Sequence, residues 1–335
     1  MNFSSGHWHA VLSSAELRAR PVAKTRFGER LVFWRDGSGK PVCFEDRCAH
    51  RGAALSLGSV RDGQIVCPFH GLCYDTTGRC VKVPVEGDRK IPESLKVAAY
   101  PVAEGDGLVW LWRGPAVDPE VLPLLPGLPR LALVEGLAHG ETTWTWNGHY
   151  SRCIEGVIDY SHLPFVHPGT IGRLTRNPEC SVTVEPIADG FRAWRNAEPP
   201  DRQFIEFISP NVWLNRIGPG YVLAAIFAPV DDTHTEAYLR WYYPTALRWL
   251  RPLLDVLGRF SQWFVFHDDL PILASQRPVN VDDADTDRLL PSDAALIEYR
   301  KLRRRLREEV SSAARAEVSR DADRAGGTPV TFPAN

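Results

Sequence analysis

Two thiolates and two imidazoles stand in matched pairs in this sequence: Cys48-Ala-His50-Arg-Gly and, sixteen residues after His50, Cys67-Pro-Phe-His70-Gly. Structural zinc accepts both donor types. So does a [2Fe–2S] cluster in which two Cys bind one iron and two His bind the other. Spacing separates the two readings. Zinc sites usually pair Cys with Cys and His with His, whereas here each loop offers one of each and can reach both irons of a cluster. Gly52 and Gly71, behind the two ligand pairs, let the backbone turn closely around the sulfurs. Imidazoles in place of thiolates also make such a cluster less negative and raise its potential. Cys43, Cys73 and Cys80 lie nearby but outside the pattern and read as small buried or loop thiols.

A second set of donors lies further on, in Asp159-Tyr-Ser-His162-Leu-Pro-Phe-Val-His167-Pro. A helix would set Asp159 and His162, three apart, on one face. His162 and His167, five apart, would diverge on a regular helix. Pro164 disturbs the helix after His162 and Pro168 biases His167 out of helical geometry, so the second imidazole can swing toward the first. Two His and one carboxylate on one face of Fe(II) leave the opposite positions open for O₂ and substrate. The carboxylate must come from a distant segment, and Phe266-His-Asp-Asp-Leu offers Asp268 and Asp269 side by side. His267 is a competing donor there, and His149 is open between solvent and pocket.

The elements that must position these donors read as two units. Residues 28–113 hold short β-type runs at Arg30–Trp34, Pro41–Glu45, Gln64–Cys67 and Gly107–Trp112. Gly37-Ser-Gly, Asp62-Gly63 and Thr76-Thr-Gly78 punctuate them as hairpin turns. An all-β domain over 1–115 is expected, then a proline-rich linker over 116–130. Residues 131–316 read as an α+β catalytic domain, an antiparallel sheet with helices on it. Its strands are Glu141–Trp146, Val182–Glu185, Gly190–Trp194, Phe204–Ile208, Val212–Ile217, Val222–Pro229 and Thr235–Tyr243; its helices are Ser151–Val166, Leu247–Gln276 and Leu296–Val310. From Ser311 on the chain has too little apolar content to order itself, and 317–335 is expected to be a disordered tail.

Composition narrows the classes. The chain has 335 residues, 44% hydrophobic and 24% charged, ordinary for a globular protein of two domains. A formal net charge of −2 gives no reason to expect a nucleic acid or membrane partner. Seven cysteines, an odd number in a long chain, do not make a disulfide framework. Residues 1–20 are interrupted by His7, His9, Glu16 and Arg18 and do not read as a signal peptide. The apolar run Thr245–Phe266 carries Arg248, Arg251, Asp255 and Arg259 at roughly helical spacing, so it reads as an amphipathic helix rather than a span. A cytoplasmic location is expected.

Taken together, CxH-x16-CxxH in the context His50-Arg-Gly-Ala-Ala-Leu and Cys67-Pro-Phe-His70-Gly, with the D-x-x-H-x-x-x-x-H string, resembles the Rieske non-heme iron oxygenases, over about residues 5–310. Ser209-Pro-Asn211-Val-Trp213 and Ala228-Pro-Val-Asp-Asp232 are weaker points of likeness. The resemblance implies a Rieske [2Fe–2S] cluster on Cys48, His50, Cys67 and His70, and a mononuclear Fe(II) on His162, His167 and an acid. In the family the second acid of a pair at the start of a late helix is the ligand, with a Gln seven residues on; Asp269 with Gln276 fits, and Asp268 is the fallback. Asp159 would join His162 to His70 of a neighbouring chain in a homotrimer. Leu72-Cys73 departs from the Trp that many members carry after the glycine, and Glu155-Gly156 from the Asn that several place before the bridging acid.

The implied activity is that of a terminal oxygenase activating O₂, with NAD(P)H electrons arriving from a separate reductase, directly or through a ferredoxin, since the chain has no Gly-rich dinucleotide fingerprint. Monooxygenation, by hydroxylation or demethylation of a small organic molecule, is expected ahead of dihydroxylation or oxidative cyclisation. Trp144, Trp146, Phe165, Trp213, Tyr221, Phe227 and Trp241 are candidates to line an apolar pocket. Two rivals stay open: an electron-transfer protein with no working iron site, and a membrane-associated oxygenase that uses 245–266 as an anchor.

Overall fold

The computed structural model describes residues 6–114, 127–175, 181–195 and 203–325. The first part is built from three small antiparallel sheets. β1 (His7–Ser13), β10 (Val102–Gly105) and β11 (Leu108–Arg113) form one, with β11 central. β2 (Val22–Arg26), β3 (Glu29–Arg35), β4 (Pro41–Glu45) and β9 (Ala99–Tyr100) form the second. β5 (Ser59–Arg61), β6 (Gln64–Val66), β7 (Cys73–Tyr74) and β8 (Cys80–Lys82) form the third. The anticipated hairpin turns fall between β3 and β4, β5 and β6, and β7 and β8. Val32, Trp34, Phe44, Leu55, Ile65 and Tyr74 make the core on which both Cys/His loops rest.

The second part is a seven-stranded antiparallel sheet in the order β12-β18-β17-β16-β15-β14-β13. The strands are β12 (Leu137–Trp146), β13 (Val182–Ile187), β14 (Gly190–Arg195), β15 (Phe204–Ile208), β16 (Val212–Gly218), β17 (Tyr221–Pro229) and β18 (Thr235–Pro244). The sheet is apolar on both faces, because alternate side chains of a strand point to opposite sides. Ala225 and Phe227 of β17 face a core shared with the helices, while Val222, Ala224, Ile226 and Ala228 face Trp8 and Trp110 of the first part.

Among the described residues four α-helices complete the fold: α1 (Tyr150–Ile158), α2 (Leu163–Val166), α3 (Arg251–Ser275) and α4 (Ala294–Ala325). Three sequence expectations need correction. The helix expected over Ser151–Val166 is two helices. The chain leaves helical geometry at Asp159, and Pro164 lies in the first turn of α2, where a missing N–H costs nothing, rather than after a helix it has disturbed. Asp268 and Asp269 lie well inside α3, not at a helix start. α4 continues to Ala325, past the expected end of order; the alanines at 313, 314, 316 and 322 favour helix without an apolar face. The rest of the expected tail, most of the expected linker (116–126) and Cys180 lie outside the described residues.

Candidate metal centres

The two Cys/His loops have the same backbone. Cys48 N–H donates to Ala53 O (2.8 Å) and Gly52 N–H to Cys48 O (2.9 Å); Cys67 N–H donates to Leu72 O (2.8 Å) and Gly71 N–H to Cys67 O (3.1 Å). Both turns close through a left-handed glycine, Gly52 and Gly71 each at φ +74°, which a side chain would strain. The loops thus present Cys48 and Cys67 inward, both 2% exposed, while His50 is exposed and His70 half-buried. The imidazole centroids are 4.8 Å apart. Burial pushes the Cys67 thiol up and the nearby Cys48 adds to it, against the Phe69 and His70 amides directed at the sulfur. Tyr74 Oη lies 3.1 Å from Cys48 Sγ, within hydrogen-bond reach. Buried sulfurs on one side and paired imidazoles on the other suit a cluster with one thiolate-bound and one imidazole-bound iron.

The second centre is assembled from three residues on two elements, α2 and α3. His162 caps α2 and His167 follows it with φ −116° and ψ 45°, so the short helix holds both rings toward α3. Their Nε2 atoms converge on Asp269 Oδ1, at 3.6 Å from His162 and 3.1 Å from His167. One donor atom from each of the three residues falls within a 4.8 Å span. His167 Nε2 is buried and, despite that proximity, makes no hydrogen bond. A polar atom in that position costs free energy unless an ion engages it, so the residues fit a divalent metal with a 2-His-1-carboxylate face.

The far ring nitrogens are held as well. His162 Nδ1 faces Asp159 Oδ2 at 3.5 Å, and His167 Nδ1 faces Asp268 Oδ2 at 3.4 Å. Burial pushes the Asp159 carboxyl up, but the His162 interaction and the Ser161 hydroxyl and amide, both 2.7 Å from Oδ1, outweigh it and the net shift is downward. Burial opposes protonation of His167, yet the Asp269 and Asp268 carboxylates carry its pKa above the ordinary value. Such carboxylate–imidazole pairs fix ring orientation and raise ligand basicity.

Two candidates are thereby reassigned. Asp268, the fallback ligand, faces His167 Nδ1, on the side away from the point where the two Nε2 atoms converge. His267 turns outward on α3 and stacks on Trp263 at 5.0 Å. His149 is buried at the N-terminus of α1, its Nδ1 2.6 Å from Ser151 Oγ. Of the candidate pocket aromatics, Trp146, Trp213 and Phe227 are buried in the core beside the triad helices, Trp241 is buried at 6% exposure, and Phe165 and Tyr221 face outward. Trp144 instead lines an open cleft of about 400 Å³ with Trp263, His267 and Leu270. Sequence reading missed Gly172. Any Cβ there would run into the carbonyl oxygens of Leu163 and His167, so glycine lets the chain fold back against the His-bearing turn.

Comparison with known proteins follows the same division. Residues 7–101 match the model of the Rieske [2Fe-2S] domain, and residues 146–309 that of the vanillate O-demethylase oxygenase C-terminal domain. Methylxanthine N1-demethylase NdmA of Pseudomonas putida is 30% identical over 324 residues, covering 90% of this chain and 88% of that protein. The solved structure of NdmA from Pseudomonas putida CBB5 superposes with a TM-score of 0.78 at 28% identity, over 92% of each chain. Chloroplastic chlorophyllide a oxygenase of Chlamydomonas reinhardtii is 29% identical over 91% of this chain, which spans 48% of that protein. The chain likewise spans 50% of the toluene-4-sulfonate monooxygenase iron-sulfur subunit TsaM2 of Comamonas testosteroni, to which it is similar over about half its own length.

Proposed function

The chain belongs to the Rieske-type oxygenases, and from that premise we propose that it is a terminal oxygenase component inserting one oxygen atom into a small organic substrate, by hydroxylation or demethylation. The observation that carries this reading is the convergence of His162, His167 and Asp269 on one point, with both far ring nitrogens held by other carboxylates. An electron-transfer protein has no use for that second assembly. When bound, the [2Fe–2S] cluster supplies single electrons and the mononuclear iron activates O₂.

In this reading Cys48, Cys67, His50 and His70 hold the cluster and His162, His167 and Asp269 the iron. Asp159 and Asp268 fix the tautomers that present Nε2 to the metal. Asp159 keeps its carboxylate ionised and 21% exposed, so it can also accept a hydrogen bond from His70 of a neighbouring copy in a homotrimer. Electrons reach the protein from NAD(P)H through a separate reductase, with or without a ferredoxin, in the cytoplasm. The names of the relatives, methylxanthine N1-demethylase and vanillate O-demethylase oxygenase subunit, support a substrate of that size.

The test is iron and acid-labile sulfide per chain on anaerobically purified protein, with EPR of the dithionite-reduced sample. About three irons and two sulfides, with an average g below two, is the expected result. Two irons and two sulfides persisting after Fe(II) reconstitution would leave an electron carrier and remove Asp269 from the metal. Formaldehyde release coupled to O₂ uptake on N- and O-methyl substrates then separates demethylation from hydroxylation.

A further inference from the structure

Glu155 and Gly156 begin the last turn of α1, just ahead of Asp159, whose N–H donates to Glu155 O at 3.1 Å. The Glu155 side chain is 4% exposed and makes two charged contacts. Its Oε1 accepts from Arg300 Nε of α4 at 2.6 Å, and its Oε2 from Arg152 Nη1, one turn back on α1, at 2.8 Å. Asp287 Oδ2 accepts from the same two arginines, from Arg152 Nη1 at 2.9 Å and from Arg300 Nη2 at 2.6 Å. Two acids and two arginines thus close a ring with no net charge. Arg152 also donates through Nε and Nη2 to the Pro278 carbonyl, at 3.2 and 3.0 Å, just beyond the end of α3.

One turn further along α4, Arg303 donates to Tyr150 Oη at 2.6 Å, at the first residue of α1, and pairs with Asp282. Helix α4 therefore grips α1 at both ends. Against α3, a Cβ on Gly156 would stand 3.1 Å from Leu273 Cδ2, so glycine lets the two helices approach. Burying charges costs about as much as their attraction returns, and apolar side chains of the same size often give equal stability. A ring of this kind is a poor source of stability. What it supplies is fixed geometry, because each guanidinium directs several N–H groups in one plane. The elements it joins are those that carry the second centre: α1 leads through Asp159 to His162 and His167, and α3 holds Asp269.

On the premise that the triad binds Fe(II), we infer that Glu155, Arg152, Asp287 and Arg300 are positioning residues that hold the His162–His167 turn and Asp269 at metal-binding separation. The test is Fe(II) affinity, by competition with a chelator, in Arg300→Lys, beside denaturant stability and the visible cluster spectrum. Lysine keeps the charge but cannot hold Glu155 and Asp287 together. Fe(II) binding should weaken about tenfold, with stability and cluster spectrum close to wild type. The double variant Glu155→Leu/Arg300→Met deletes one charge of each sign; it should fold as stably as wild type and show the same weakening. In both variants the high-spin EPR signal of the nitric oxide adduct of the ferrous site should change shape, which a loss of stability alone does not produce. Affinity and EPR shape equal to wild type in both would overturn the inference. So would an affinity that falls only in step with stability, which would leave the ring a structural clamp. A wild type that takes up no mononuclear iron would instead sink the oxygenase reading, and the positioning role with it.

Discussion

At the scale of single residues, the two histidines of the second centre use both ring nitrogens, one toward Asp269 and one toward a supporting carboxylate. Removing a ligand and removing a support should therefore differ in degree. Asp269→Ala should abolish mononuclear iron while sparing the visible cluster spectrum, read by metal analysis beside absorbance. Asp268→Asn should retain the site but weaken Fe(II) about 10- to 100-fold, measured by competition with a chelator. At the other centre, Tyr74→Phe removes a hydrogen bond to the Cys48 sulfur. Such a bond favours the more negative, reduced cluster by about 1 kcal/mol, so the midpoint potential should drop by about 40 mV in voltammetry. The four residues proposed to hold the cluster stand out in sequence because each pair is local: one turn fixes a thiolate, an imidazole and the glycine behind them. The support from Asp268 was not legible. Which of two adjacent acids faces the two Nε2 atoms depends on the rotational phase of α3 against α2, and spacing within either segment does not report it.

At the scale of elements, the strands read from alternation and turn residues have most ends within two residues of the structure, whereas β1, β2, β5 and β7 to β10 were not read at all. The His-bearing segment was harder, because a proline is read as a breaker although the first turn of a helix accommodates it. The actual break at Asp159 is made by the aspartate itself, which turns its side chain onto the Ser161 amide and hydroxyl. Gly172 has the same kind of hidden role, since its constraint comes from carbonyls of residues before it in the chain. Gly172→Ala should push α2 away from α3. We expect a loss of about 1–3 kcal/mol in stability, by denaturant titration, together with incomplete iron loading at saturating Fe(II). If iron loading is normal, the close approach does not set the position of His162 and His167.

At the scale of the whole molecule, the two parts share a core instead of meeting at a polar seam. β1 lies on the large sheet, the Ala10 N–H donates to Asn211 Oδ1 (3.2 Å) and Asn211 Nδ2 donates to the Ala10 carbonyl (2.7 Å), and Arg26 and Lys24 both reach Glu236. Asn211→Ala leaves buried backbone groups unpaired and should cost about 2–4 kcal/mol. Burial pushes the Glu236 carboxyl up, but the Arg26 and Lys24 charges prevail and lower it below its ordinary 4.5. A carboxyl depressed in the folded state adds stability that is present above its unfolded pKa and lost as pH falls through the folded one. Thermal stability should therefore drop as pH is lowered below about 4.5, less steeply in Glu236→Gln; equal slopes would show that this junction does not govern acid unfolding. None of this was legible beforehand, because no local pattern tells a strand that its second face will be covered by a segment two hundred residues away. Ala10 and Asn211 are 201 positions apart. At about 5–20 residues per second on the ribosome, the first strand waits roughly 10–40 s for its partner to be made. The amino-terminal half must pass that interval with Trp8 and Trp110 uncovered, so a nascent chain stalled before β16 should be the form that holdase chaperones capture.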